Sequence, residues 1–139
     1  MKKLKFAKKK ILTLKKAKKN ANTAFSKYIR TRDAHGNAFL ICVTCNKSYP
    51  AFGVGCAQAG HFIPGRHSMI LYDERNCHGQ CYNCNINLKG NWVEYESFMI
   101  KEYGRKVIAE LKRLDKINPH YKVQDYLDIE AKFKRNIVC

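Results

Sequence analysis

The chain has 139 residues, 27 Lys and Arg against 11 Asp and Glu, a formal net charge of +16 and 45% hydrophobic residues. That length suits one small domain with short additions, and no apolar run is long enough to span a bilayer. The basic excess points to a polyanionic partner, nucleic acid above all, because neutralising phosphates releases counterions.

Residues 1–20 carry ten Lys and no acid. No apolar stretch of the secretory kind follows them, so the chain reads as cytoplasmic. Ile11, Leu14, Ala17, Ala21, Phe25, Tyr28 and Ile29 recur every three or four residues, which predicts a helix over about residues 8–32. Its other faces offer Lys8, Lys9, Lys15, Lys16, Lys19 and Arg30 to phosphates. His35-Gly36-Asn37 is a turn signal, and Ala38–Cys42 reads as a short strand. Pro50, Gly53, Gly55 and Gly60 mark a loop, with a short strand at Ser48–Tyr49. His61–Ile63 reads as a second strand and Met69–Tyr72 as a third apolar run. Cys81–Leu88 suits a short helix ending near Gly90. Trp92, Tyr95, Phe98, Met99 and Tyr103 then repeat at helical spacing up to a Gly104 cap, and read as core packing rather than a base-stacking platform. Val107–Leu114 predicts a further helix, Asn118-Pro119 a break, and Val123–Phe133 a last helix. The domain reading is a Lys-rich helix over 1–34, a metal-braced core over 35–91 and a helical segment over 92–139.

The chemistry lies in the middle. Seven cysteines cannot all pair internally. Four form two Cys-x-x-Cys pairs, Cys42/Cys45 and Cys81/Cys84, separated by 35 residues. Such pairs present thiolates from tight turns, so the four complete a tetrahedral structural Zn²⁺ site. A closed four-thiolate zinc has no open position for substrate, so its role is to brace. Cys56 and Cys77 read as small buried residues, and Cys139 as exposed. Between the pairs stands His61, whose neutral imidazole suits a general base near pH 7. Asn85 follows Cys84, where the knuckle would position it as an oxygen ligand for a hard divalent cation. Arg66 is placed to clamp a phosphate.

His61-Phe-Ile-Pro64, Asn76 and Cys81-x-x-Cys84-Asn85 resemble the HNH nuclease pattern. That resemblance implies an α+β fold: a zinc-braced ββα-metal, treble-clef-like core with a basic N-terminal helix and C-terminal helices. It implies His61 as base, Asn76 as brace of the intervening loop, and Asn85 as ligand of a catalytic Mg²⁺ or Mn²⁺. A longer run resembles the NinG (Rap) recombination proteins of lambdoid phages. It comprises Tyr28-Ile-Arg-Thr-Arg-Asp33, Ala59-Gly-His-Phe-Ile63 with Arg66-His67, Asp73-Glu-Arg-Asn76, Cys77-His-Gly-Gln-Cys81, Cys84-Asn85, Gly90-Asn91 and Tyr103-Gly104. The knuckles and Cys84-Asn85 are also similar to phage endonuclease VII. The resemblance implies a structure-selective endonuclease on branched DNA, such as Holliday junctions and D-loops, in the cytoplasm of a bacterial host.

One position departs from the pattern. Many HNH sites carry Asp just before the first His, and this chain has Gly60. The metal would then be shared between Asn85 and a second group, from His67, His78, Asp73 or Glu74, or would lean on substrate phosphate. A non-catalytic zinc-finger module binding DNA or RNA is the competing reading, and a ribosome-associated basic zinc protein a third. Two symmetric cuts across a junction would suit a homodimer through the apolar stripes of the C-terminal helices.

Overall fold

A computed structural model describes residues 11–137. Lys8, Lys9 and Cys139 lie outside the described residues. Helix α1 spans Leu14–Ala34, opened by Thr13, whose hydroxyl accepts from the Lys16 amide at 3.2 Å. Its buried stripe is Ala17, Ala21, Ala24, Phe25, Ile29 and Ala34. Three alanines in that stripe let another helix approach closely, and α4 (Val123–Asn136) packs there, with Phe133 at 4.8 Å from Phe25 between ring centroids. Tyr126 and Phe133 of the α4 apolar stripe join the α1 core, while Leu127 of the same helix stays exposed. Ile108 and Leu111 of α3 (Arg105–Leu114) join a second core with Tyr95 and Met99 of α2 (Trp92–Tyr103).

Four short strands form two antiparallel hairpins. In the first, β1 (Phe39–Ile41) pairs with β2 (Ser48–Pro50). In the second, β3 (Gln58–His61) pairs with β4 (Cys77–Gln80), with Gln58 opposite Gln80, Gly60 opposite His78 and His61 opposite Cys77. Opposite residues share a face and successive ones alternate. Gln58, Gly60, His78 and Gln80 therefore line one face, while Ala59, His61, Cys77 and Gly79 line the other.

The strand expected at His61–Ile63 is displaced to Gln58–His61. Beyond it, the Asn76 side chain takes over the role of a strand partner, accepting from the Ile63 amide at 2.9 Å. Met69–Tyr72 is a tight helical turn, started by Ser68. After β4 the chain enters one wide helical turn, Asn83–Asn87, closed by the Leu88 amide on the Asn83 carbonyl at 2.9 Å. That i→i+5 bond widens the turn, a feature frequent at functional sites.

The end of α1 is clamped to the second hairpin. Arg32 donates to the carbonyls of Glu74 and Cys77, both at 2.8 Å, and Asp33 accepts from the Gly79 amide at 2.6 Å. Arg32 and Asp33 also pair with each other at 2.7 Å. The stretch Tyr28–Asp33 thus holds the basic helix against the strand next to His61.

Candidate functional site

The thiol sulfurs of Cys42, Cys45, Cys81 and Cys84 lie within 4.8 Å of one another. The first knuckle contributes two from the β1–β2 connection; of the second pair, Cys81 directly follows β4 and Cys84 lies in the wide turn Asn83–Asn87. Backbone amides point at the sulfurs: Cys81 N–H donates to Cys42 at 3.3 Å and Cys84 N–H to Cys81 at 3.4 Å. Burial raises the Cys42 thiol, but the Thr44 hydroxyl and three backbone amides outweigh it and bring it down to about 6. Burial and the neighbouring thiols push Cys84 up to about 12. One sulfur is thus a ready thiolate, and a metal would displace protons from the others. The four cysteines fit a metal such as zinc, with thiolate ligands that suit it.

His61 ends β3 on the face turned toward α1, its ring 6.0 Å from that of Phe25. Its Nε2 lies 2.9 Å from the Leu71 carbonyl oxygen. A carbonyl only accepts, so Nε2 carries the proton and Nδ1 is left with its lone pair. Burial lowers the His61 pKa below the usual histidine value of 6.5, partly opposed by the Leu71 carbonyl. The ring is therefore neutral at pH 7, in a single tautomer.

Asn76 is fully buried. Its amide nitrogen donates to the Ile63 carbonyl at 2.8 Å while its oxygen accepts from the Ile63 amide. That two-way bond closes the loop between β3 and β4, two residues past His61 where β3 ends.

The other expected residues divide between two sides. Asn85 lies on the Gln58–Gly60 face, where its amide nitrogen donates to Gln58 Oε1 at 2.7 Å. Gln58 is the partner that sequence reasoning missed; the only signal was its position three residues before His61, on the opposite face. Arg66 and His67 are exposed and share a recess of about 250 Å³ with Leu71 and His120. Arg30 donates to the Ala51 carbonyl at 3.1 Å and covers the Phe52 ring at 4.5 Å, so its guanidinium is largely engaged within the protein. Lys15, Lys16 and Lys19 are exposed on α1.

His78 is not brought to a metal position. The Tyr95 hydroxyl gives its proton to the Gly60 carbonyl at 2.6 Å and must therefore accept from His78 Nδ1 at 3.1 Å. His78 Nε2 is left to accept from the Tyr103 hydroxyl at 2.8 Å. Both nitrogens are used, and in the neutral ring Nδ1 donates while Nε2 accepts. Burial, then the Arg32 charge, press its pKa down to about 4. The sign follows from linkage: the unfolded chain takes up this proton near pH 6.5, before the folded one does, so stability present above that pH is lost as pH falls toward 4. We expect denaturant melts to lose on the order of 3 kcal/mol across that window. His78→Gln should flatten the dependence, and a midpoint equal at pH 7.5 and 4.5 would refute the network.

Gly60 has a steric reason. A Cβ there would meet Gln80 Oε1 at 2.1 Å. Gln80 is buried, its amide donating to the Thr44 hydroxyl at 3.0 Å and the Gly90 carbonyl at 2.8 Å. Gln80 thus ties the first knuckle, β4 and the start of α2 together, in the space an acid at position 60 would need. Gly60→Asp is expected to destabilise by about 1–3 kcal/mol through overpacking, with partial recovery in combination with Gln80→Ala. A thermal melt unaltered by Gly60→Asp would show that Gln80 simply swings aside. Among the described residues, the four thiols are the sole group of three or more Cys, His, Asp or Glu side chains close enough to hold one ion. Asn85 and Gln58 alone do not make a cage for a hard cation.

The family model described as "Bacteriophage Lambda NinG protein" matches residues 1–138. Protein ninG of Escherichia phage 933W is 30% identical over 121 residues, covering 86% of this chain and 55% of that protein. Protein ninG of Salmonella phage P22 is 28% identical over 120 residues, covering 86% and 55%. Protein ninG of Escherichia phage lambda is 27% identical over 121 residues, covering 86% and 54%. The chain spans about half the length of the curated relatives it matches. No solved structure matches it.

Proposed function

The chain belongs to the bacteriophage NinG family, and from that premise we propose that it is an HNH-type endonuclease that hydrolyses phosphodiester bonds in branched DNA, the Holliday junctions and D-loops of recombination. The observation that carries this reading is His61: a neutral imidazole with its tautomer held by the Leu71 carbonyl, at the end of a hairpin that runs into a helical turn bearing Asn85. In the proposed reaction Nδ1 of His61 takes a proton from water. The resulting hydroxide oxygen bonds to phosphorus, and the bond from phosphorus to the leaving sugar oxygen breaks, that oxygen taking a proton from solvent. Asn76 holds the loop that holds His61. Mg²⁺ or Mn²⁺, where bound, would stabilise charge on the phosphate oxygens. Among the described residues the four thiols are the sole cluster of three or more Cys, His, Asp or Glu side chains that could hold an ion, so the reaction as written takes no step through Mg²⁺ or Mn²⁺, and the cation requirement is left to the cleavage test.

Affinity comes from the exposed lysines of α1, which suit phosphate binding without base reading. Replacing Lys15, Lys16 and Lys19 by Gln is expected to lower the slope of log affinity against log salt by about one for each phosphate no longer neutralised. An unchanged slope would remove α1 from the DNA interface.

The second reading is a non-catalytic zinc-finger module for DNA or RNA, and the absence of an acid at position 60 favours it. One experiment separates the two. A labelled four-way junction and a linear duplex of matched sequence are incubated with Mg²⁺, with Mn²⁺ and without added cation. Cutting of the junction alone supports the proposal. Equal cutting of both keeps the nuclease and discards branch selection. Saturated binding without cutting in any condition leaves the binding module.

A further inference from the structure

Trp92 is the only tryptophan of the chain, and it is unlike the rest of its helical stripe. Tyr95 and Met99 are buried, whereas Trp92 is 51% exposed. Its indole lies nearly parallel to the Phe62 ring, at 12° and 6.0 Å between centroids. Phe62 is itself buried, and directly follows His61. One side of the indole therefore rests on Phe62, which packs with Tyr95 and Met99 of α2 while the His61 ring turns toward Phe25 of α1, and about half of the indole is open to solvent.

The platform is rigid. Asn91, the preceding residue, donates to the Cys84 sulfur at 3.6 Å, and the Gly90 amide donates to the Cys84 carbonyl at 2.9 Å. The Gly90 carbonyl is also held by Gln80, which packs on Gly60. Trp92 is thus held by two routes, against Phe62 and through the Gly90–Asn91 turn that Gln80 and Cys84 fix. An exposed tryptophan of this kind is not needed for the core, which closes around Tyr95 and Met99.

We propose that Trp92 stacks on one unpaired base of the bound DNA, an inference that rests on the nucleic-acid reading above. The occupant is argued from charge and shape. A chain with net charge +16 draws in a phosphodiester strand, and Lys89 is exposed three residues before the indole. An open aromatic face on a strongly basic chain is the element that holds single-stranded nucleic acid, since every base offers a π-face. In a continuous duplex the bases are stacked on each other and the indole has no partner. At a branch point or a gap a base is free to leave the stack. The platform therefore favours DNA with an unpaired base, as a branch-selective enzyme would require.

The test uses the fluorescence of this one indole. The zinc-loaded protein, without added Mg²⁺ or Mn²⁺, is titrated with a single-stranded oligonucleotide, a duplex with one unpaired base and a fully paired duplex. Binding is followed in parallel by anisotropy of a label on the DNA. Quenching of Trp92 that saturates with the first two, and is absent with the paired duplex at saturation, is the expected result. Trp92→Ala should weaken binding of the unpaired substrates by roughly tenfold or more and leave the paired duplex unaffected, while Trp92→Phe retains most of the affinity. Retained zinc and circular dichroism show that the variants are folded. Emission that stays constant at saturating DNA, or changes equally with paired duplex, overturns the proposal. Cutting without quenching removes only the platform, quenching without cutting removes only the nuclease, and no binding to any DNA removes both.

Discussion

Cys81→Ser is expected to empty the four-thiol site and unfold the centre of the protein. Cys81 is buried at the end of β4, and its sulfur lies 3.9 Å from that of Cys45. Its own amide also donates to Cys42, so both knuckles meet at this residue. Apparent binding free energies of structural zinc are about 10–16 kcal/mol, against a total stability of about 5–15 kcal/mol for an ordinary domain. Losing one thiolate of four therefore removes more than the fold can spare. The β1–β2 hairpin and the turn bearing Asn85 would separate, since each is short. The measurement is zinc content by a chromogenic chelator, together with a thermal melt. Stoichiometric zinc and an unshifted melt in Cys81→Ser would refute the four-cysteine site. Cys56→Ser is the control: its half-buried thiol lies outside the cluster, 3.7 Å from Arg30, and its loss should change neither reading.

The second large effect is expected for His61→Ala. Removing a general base typically lowers the rate by about 10²–10⁴-fold, while DNA affinity, carried by lysines elsewhere, stays within about twofold. His61→Gln keeps a side chain able to donate to Leu71 and separates lost chemistry from lost packing. The pH profile gives an independent check. The folded pKa lies below 6.5 because burial opposes the charged ring. The rate should therefore be flat from neutral pH upward and fall only on the acid side of 6.5, as His61 becomes protonated. A rate still climbing between pH 7 and 9 would assign the base to another group. Unchanged cleavage by both variants would remove His61 from the reaction altogether.

The two sides of the β3–β4 hairpin also explain why some expected partners never meet. His67 and His78 were both plausible seconds to Asn85 by residue type. The register puts His78 opposite Gly60, under α2, where two tyrosines use its nitrogens. His67 sits in the loop with Arg66, beside Leu71. The group that does meet Asn85 is Gln58, a residue whose type announces nothing in a linear reading. Arg30 likewise looked free for phosphate and instead caps Phe52.

What this sequence determined alone is whatever depends on neighbours along the chain. Two Cys-x-x-Cys pairs specify thiols presented by tight turns, apolar residues at three- and four-residue spacing specify helices, and Gly104 and Asn118-Pro119 end them. The observed α2 boundaries, Trp92–Tyr103 with Gly104 as cap, were legible for that reason. The tertiary structure decided what depends on register and on space. It placed His61 and His78 on opposite faces, because alternation acts only once β3 is paired with β4. It gave Gly60 its steric reason, because Gln80 fills the volume beside it. It left Trp92 the exposed member of a stripe otherwise buried or half-buried, because Phe62 meets only one side of the indole. Periodicity is a local property, carried by each segment on its own. Which faces end up covered is set by residues distant in the chain, and no local pattern encodes that distance.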